Sequence, residues 1–200
     1  MLAISTHACP RDLPLGDAVS SLRDLGLDAI ALHRPPHDAE MAALAQVARR
    51  ARIVAVFGEP RSELSCRLVV VEGGKVSGED REASLEELCR RLHAFRDYSV
   101  AVRPPPDESH HPLAHEIPLL AAAVRHVGYW HEPARAGDDY LDQAAPFLKG
   151  ASFHPLSGVD LAGLRDALPG SAPAVIACQE GADPAELQEA VRYARRVFRA

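Results

Sequence analysis

The chain has 200 residues and a mass of 21.6 kDa, enough for one domain with a sizeable core, and its 47% hydrophobic and 25% charged residues exclude disorder as its main state. No apolar run approaches the roughly 18–20 residues of a spanning helix, which excludes a helical membrane protein. A net charge of −6 with a pI near 5.9 excludes a general binder of nucleic acid or anionic membrane, because such binding needs clustered positive charge.

In chain order, short apolar runs alternate with amphipathic segments. Leu2–Thr6 is predicted as the first strand; the stretch Met1 to His7 has no basic region and too short an apolar core for a signal peptide. A helix over Asp17–Leu25 follows, with Ala18, Leu22 and Leu25 on one face and Gly26 at its end. Leu27–Leu32 is the second strand. Asp38 caps the next helix, in which Met41, Leu44, Ala45 and Ala48 share a face. Ile53–Phe57 and Leu68–Val71 are the third and fourth strands, joined without a convincing helix.

From there the pattern is regular. Ser84-Leu-Glu-Glu87 reads as a capping box ahead of a stripe of Leu85, Leu88, Leu92 and Phe95. Ser99–Val102 is the fifth strand, and a helix carrying Leu119, Leu120, Ala123 and Val124 starts near Pro118. Val127–Trp130 is the sixth strand; a helix around Tyr140–Leu148 contains Pro146, which predicts an early stop or a kink. Ala151–Phe153 is the seventh strand, Asp160 caps a helix with Leu161, Leu164 and Leu168, and Ala174–Cys178 is the eighth. The last helix has Asp183 at its cap, Pro184 at its first position, and a buried face of Leu187, Val191, Ala194 and Phe198.

Eight strands alternating with helices predict a parallel sheet covered by helices, and eight is the number that closes a (β/α)8 barrel. The expected architecture is one compact barrel spanning residues 1–200. If Glu72-Gly-Gly-Lys75 is instead a hairpin turn returning through Val76, the alternative is an open doubly wound sheet. No repeat or linker interrupts the chain, and Pro104-Pro-Pro106 reads as a stiff loop. The four cysteines, Cys9, Cys66, Cys89 and Cys178, are far apart with no C-x-x-C pair, as expected of a reduced cytoplasmic protein without structural zinc.

In a barrel the reactive groups sit where strands give way to loops. Those positions hold His7, His33, Glu59, Glu72, Arg103, Glu132, His154 and Glu180. Any strand end needs some polar residue, but serine or asparagine would serve equally well, and eight ionisable groups at eight ends favour a ligand site. Imidazole with carboxylate suits Mn²⁺, Co²⁺, Zn²⁺ or Mg²⁺. The chain has no G-x-S-x-G, G-x-G-x-x-G or P-loop motif. Of the 10 histidines, His37, His93, His115 and His126 read as solvated surface, while His110-His111 is either an exposed loop or a flap over the mouth.

Several segments together resemble the xylose isomerase-like barrels, a superfamily of sugar phosphate isomerases and epimerases with endonuclease IV as a relative. They are Leu2-Ala-Ile-Ser-Thr6, Leu25-Gly-Leu-Asp-Ala-Ile30, Gly128-Tyr-Trp-His-Glu-Pro-Ala-Arg-Ala136, Ser152-Phe-His154 and Gln179-Glu180. The third is similar to the W-H-D-x-x-H-A type segment of the family's sixth strand. The resemblance implies a metal site of Glu, Asp, His and Glu from the last four strands, which by position become Arg103, Glu132, His154 and Glu180 here. Arg103 is a permanent cation that cannot coordinate, and Arg135 stands where the motif has a histidine. The resemblance therefore implies one divalent metal held by Glu132, His154 and Glu180, or none because Arg103 replaces a ligand.

The expected function is an isomerase or epimerase of a small hydroxy-carbonyl compound, with Glu180 and Glu132 as catalytic carboxylates. His7, His33, Trp130 and Arg103 are the expected substrate-binding residues, with Arg103 either holding an anionic group or forming a structural ion pair with Glu132 and Glu180 in place of the lost metal. The alternative is a degenerate barrel that binds a ligand or protein without turnover. A nuclease needs a fuller metal cluster and a basic DNA face, so neither nucleic acid nor membrane is an expected partner, and the oligomeric state stays open.

Overall fold

The computed structural model describes residues 1–27, 29–59, 61–76, 80–136 and 138–199. Eight parallel strands close a barrel in sequence order: Leu2–Ser5 (β1), Ala29–Leu32 (β2), Arg52–Phe57 (β3), Leu68–Val71 (β4), Ser99–Val102 (β5), Val127–His131 (β6), Leu148–Phe153 (β7) and Ala174–Ile176 (β8). β8 returns to β1 with Leu2 opposite Ala174, Ala3 opposite Val175 and Ile4 opposite Ile176. The described helices are Leu15–Arg23 (α1), Asp38–Ala48 (α2), Arg81–His93 (α3), Ile117–Ala123 (α4), Asp138–Ala144 (α5), Leu161–Ala167 (α6) and Pro184–Arg199 (α7). No described helix is long and apolar enough to cross a membrane.

The open-sheet alternative fails at β4, which pairs in parallel with β3 and β5 instead of folding back on Val76. The Glu72–Lys75 segment runs out to the neighbouring loop, where Lys75 forms an antiparallel bridge with His110 and the Val76 amide donates to the Ser109 carbonyl at 2.7 Å.

Strand alternation has period two, and its two faces carry different residues. Ile4, Ile30, Leu32, Val56 and Ile176 face outward and pack with Ala18, Val19 and Leu22 of α1, Leu44 of α2, and Leu187, Val191 and Ala194 of α7. Ala3, Ala31, Ala55, Val70, Ala101 and Val175 face inward. These small groups leave room for Trp130, which is fully buried and meets the Phe57 ring edge-on at 5.4 Å.

Several boundaries differ from expectation. α1 starts earlier than Asp17, and α3 starts before the Ser84 box because Asp80 caps it by accepting from the Ala83 amide at 3.0 Å. β7 begins at Leu148, so Lys149 and Gly150 are strand residues, and the Pro146 stop falls in a 3-10 turn after α5. Leu119 is exposed and leaves its helical stripe. β2 starts at Ala29, and residue 28, in the expected strand, lies outside the described residues.

Candidate active site

Continuing the strand alternation two residues past an inward position gives an inward position again. Ala101 leads to Arg103, Trp130 to Glu132, Ser152 to His154, and Ala31 to His33. Arg103, Glu132, His154, His33, His7 and Glu180 all line one cavity of about 810 Å³ at the C-terminal end of the barrel. Glu59 does not line it, and Glu72 reaches it through the guanidiniums of Arg103 and Arg135. A larger cavity of about 960 Å³ opens at the opposite end, with Arg49, Arg50, Arg52 and Lys149 among its lining residues but no histidine. The acid–base groups are gathered at the C-terminal mouth.

On the β5–β6 side, Glu132 is buried and accepts at both oxygens. Arg103 grips it with two bonds of 2.8 Å, from Nε to Oε1 and from Nη2 to Oε2. Arg135 Nε lies 3.2 Å from Oε2, and the Ser152 hydroxyl donates to Oε1 at 3.1 Å. Trp130 Nε1 donates to that hydroxyl at 3.0 Å, orienting it toward Glu132. The expectation that Trp130 binds substrate is corrected here. The indole lies inside the barrel, absent from the cavity lining, and acts through Ser152.

Across the mouth, on the β8–β1–β2 side, His7 and His33 lie with ring centroids 5.8 Å apart. Thr6 Oγ1 accepts the His33 amide at 3.0 Å and lies 2.8 Å from Nδ1 of the same residue. The hydroxyl proton is then placed to donate to Nδ1, an assignment that puts the neutral ring's proton on Nε2. Burial, then the neighbouring His7 and Arg34 charges, push the His33 pKa below the usual histidine value. Glu180 Oε1 accepts the Arg11 amide at 3.0 Å. The Arg11 side chain also lines the cavity and makes no hydrogen bond or ion pair with a described residue. Arg34 is held on Glu40 by two bonds of 2.7 Å; that bond above all, with amide bonds from His37 and Leu15, keeps the Glu40 carboxyl down at about 2.

The donor set does not fit the divalent metal that the family resemblance implies. Both Glu132 oxygens are bound to cations, and a metal ion there would face two guanidiniums. His154 Nδ1 accepts the Leu156 amide at 3.3 Å and its Nε2 lies 3.5 Å from Glu186, so it is not paired with Glu132 or Glu180. Among the described residues no three His, Cys, Asp or Glu side chains are grouped as metal ligands.

His111 is neither flap nor exposed loop. It is buried with Nδ1 3.0 Å from Glu116 Oε2, and Arg81 holds that same carboxylate. His37, His93 and His115 are exposed as expected, whereas His126 is half-buried on the Leu92 carbonyl. The sequence reading missed Arg11 and Arg34 as cavity residues. Arg34 could have been found as the direct neighbour of His33; Arg11, in the loop after β1, carried no local signal.

No protein-family model and no curated protein matches the chain. Solved structures do match over nearly their full length. An apo 3-keto-D-glucoside 4-epimerase from E. coli aligns with a TM-score of 0.78 at 11% identity, covering 98% of each chain. An AP endonuclease, family 2, from Brucella melitensis gives 0.75 at 13%, covering 96% of each. Endonuclease IV from Thermus thermophilus gives 0.68 at 14%, covering 99% of this chain and 98% of its own. These structures share the fold of this chain, a closed (β/α)8 barrel. At these identities the likeness fixes the architecture, and the chemistry must be argued from the cavity.

Proposed function

We propose that this xylose isomerase-like barrel is an isomerase or epimerase of a small hydroxy-carbonyl compound bearing an anionic group, such as a sugar acid or sugar phosphate. One observation carries the reading. The cavity has Arg103 and Arg135 on its β5–β6 side and His7, His33 and Glu180, beside Arg11 and Arg34, on its β8–β1–β2 side, and in an eight-strand ring β5 lies opposite β1. A short substrate anchored by its anion at Arg103 and Arg135 reaches across to His7, His33 and Glu180.

Glu180 then takes a proton from the carbon next to the carbonyl while the His33 ring gives its Nε2 proton to the carbonyl oxygen, forming a neutral enediol and leaving an imidazolate that accepts from the Thr6 hydroxyl at Nδ1. Return of a proton to carbon, with a hydroxyl proton going back to His33, completes the exchange. Glu132 plays a different part from the base expected of it, since its carboxylate holds the two guanidiniums in place. The four cysteines are free thiols, which fits a reducing, cytoplasmic setting.

Deuterium uptake tests this. In D₂O with a panel of sugar phosphates and sugar acids, one compound should gain deuterium at the carbon beside its carbonyl, read by proton NMR. Glu180→Gln should slow uptake at least about 100-fold. A second reading, a barrel that binds its ligand without turnover, is favoured by one observation, the full occupation of Glu132 by Arg103, Arg135 and Ser152. Binding of panel compounds with no uptake from any of them would establish it.

A further inference from the structure

Glu72 follows β4, two residues past the inward-facing Val70, and its side chain is 52% exposed. Its Oε1 is 2.5 Å from Arg103 Nη1, and both its oxygens are 3.3 Å from Arg135 Nη1. These are the nitrogens left over once Glu132 has engaged Nε and Nη2 of Arg103 and Nε of Arg135. Two guanidinium edges, each fixed from behind by a buried carboxylate, thus meet one carboxylate from the front. Proteins hold carboxylate and phosphate ligands with this arrangement.

The two glutamates differ in how they are held. Glu132 is 9% exposed, doubly bonded to Arg103 and further held by Ser152. Among the described residues the Glu72 carboxylate is bonded only by the guanidiniums, and its exposed side faces water. Its backbone, by contrast, is pinned. Arg91 Nη2 donates to the carbonyls of Glu72 and Gly73 at 3.0 and 2.7 Å, and the His111 amide donates to the Gly74 carbonyl at 2.9 Å. At Gly73 a Cβ would lie 2.0 Å from the His111 carbonyl oxygen, so only glycine permits this approach. The backbone of the segment is thus fixed independently of the carboxylate.

We propose that Glu72 is a stand-in for the ligand's anionic group: it occupies the Arg103–Arg135 site when no ligand is bound and swings into solvent when a substrate oxyanion takes its place. This rests on the mouth being the binding site, as in the function proposed above, and it names the substrate handle as an oxyanion able to accept from two guanidiniums at once. An exposed carboxylate on an ion pair is a weak competitor, which makes the exchange reversible.

The test is binding of inorganic phosphate and of acetate, by calorimetry, to the wild type and its variants. Removing a nearby negative charge favours an anion through the screened field alone, and removing a carboxylate that occupies the site adds the release of that competitor. Glu72→Gln should bind one or both anions about five- to tenfold more tightly than the wild type. Arg135→Met should lose the binding, and Glu63→Gln, at the opposite end, should bind like the wild type. Phosphate binding without acetate assigns the site to phosphate esters, and the reverse to sugar acids. Glu72→Ser repeats the measurement in case Glu72→Gln folds poorly. Equal or weaker binding in both Glu72 variants, or no binding of either anion to any form, overturns the proposal. Deuterium uptake is not part of this readout, so an absence of turnover sinks the isomerase reading alone.

Discussion

Trp130 and Gly150 face each other across β6 and β7 so closely that a Cβ on Gly150 would lie 2.3 Å from the indole Cζ3. The interior around this ring is lined with alanines and valines, and Gly150 is the point where even a methyl group does not fit. Gly150→Ala should destabilise the protein by about 2–3 kcal/mol, read as a fall of roughly 4–12 °C in Tm. Trp130→Phe removes the atoms in the way, so the double variant should lose clearly less than the sum of the two single losses.

Arg103→Met leaves the buried Glu132 with Arg135 and Ser152 as its partners. Because Arg103 is itself 21% exposed and Arg135 remains, the loss should be about 1–3 kcal/mol, below that for an ion pair broken in a dry interior. Urea unfolding measures it. Arg135→Met, whose side chain is more exposed and makes a longer contact with Glu132, should cost less than half as much.

Glu40 predicts an acid-sensitive step. The Arg34 bond holds its folded carboxyl at about 2, below its ordinary 4.5, so the unfolded chain binds more protons between those values. The stabilisation is present above pH 4.5 and is lost as pH falls toward 2. Glu40→Gln should be less stable than the wild type by about 1–2 kcal/mol at pH 7, and the gap should close over that acid window. Unfolding midpoints between pH 2 and 7 measure the change.

His33 should titrate below the ordinary histidine value of 6.5, because burial and then the His7 charge oppose its cationic form. Between the folded and unfolded values the unfolded chain binds more protons, so this residue lowers stability as pH falls through that range. His7→Asn removes one opposing charge and should raise the His33 midpoint, read from ring proton shifts by NMR.

Much of the barrel is visible in the sequence because its strands obey two rules at once. They are short runs of β-branched or small apolar residues, and polar residues close each end, as Leu68–Val71 and Ser99–Val102 show. β7 was harder to delimit, since Pro146 and Gly150 both read as breakers. Gly150 lies inside the strand for a reason that sits on another strand, the bulk of Trp130. The start of α3 was a contest between two local caps, which Asp80 wins over Ser84.

The candidate site was legible in part. Strand-end positions picked out six of the residues that line the mouth, because alternation carries them inward. Their partners were not legible. Arg135 meets Glu72 across 63 positions of chain, and Thr6 meets His33 across 27, so no local pattern announces either contact. The metal expectation looked at which groups stand at the strand ends. In the structure Glu132 is already bound to Arg103 and Arg135.

The alternation that aims these side chains inward also works as a reading frame. Arg103, Glu132 and His154 each stand two residues beyond an inward-facing strand residue. One residue inserted or deleted just ahead of any of them would turn that side chain toward the helices and bring its neighbour into the mouth. The mouth can thus be rewritten by substitution, one position at a time, while length changes are tolerable only farther out in the loops. In variants selected for a new ligand, changes at the mouth should be replacements, with insertions confined to loop segments beyond those frames.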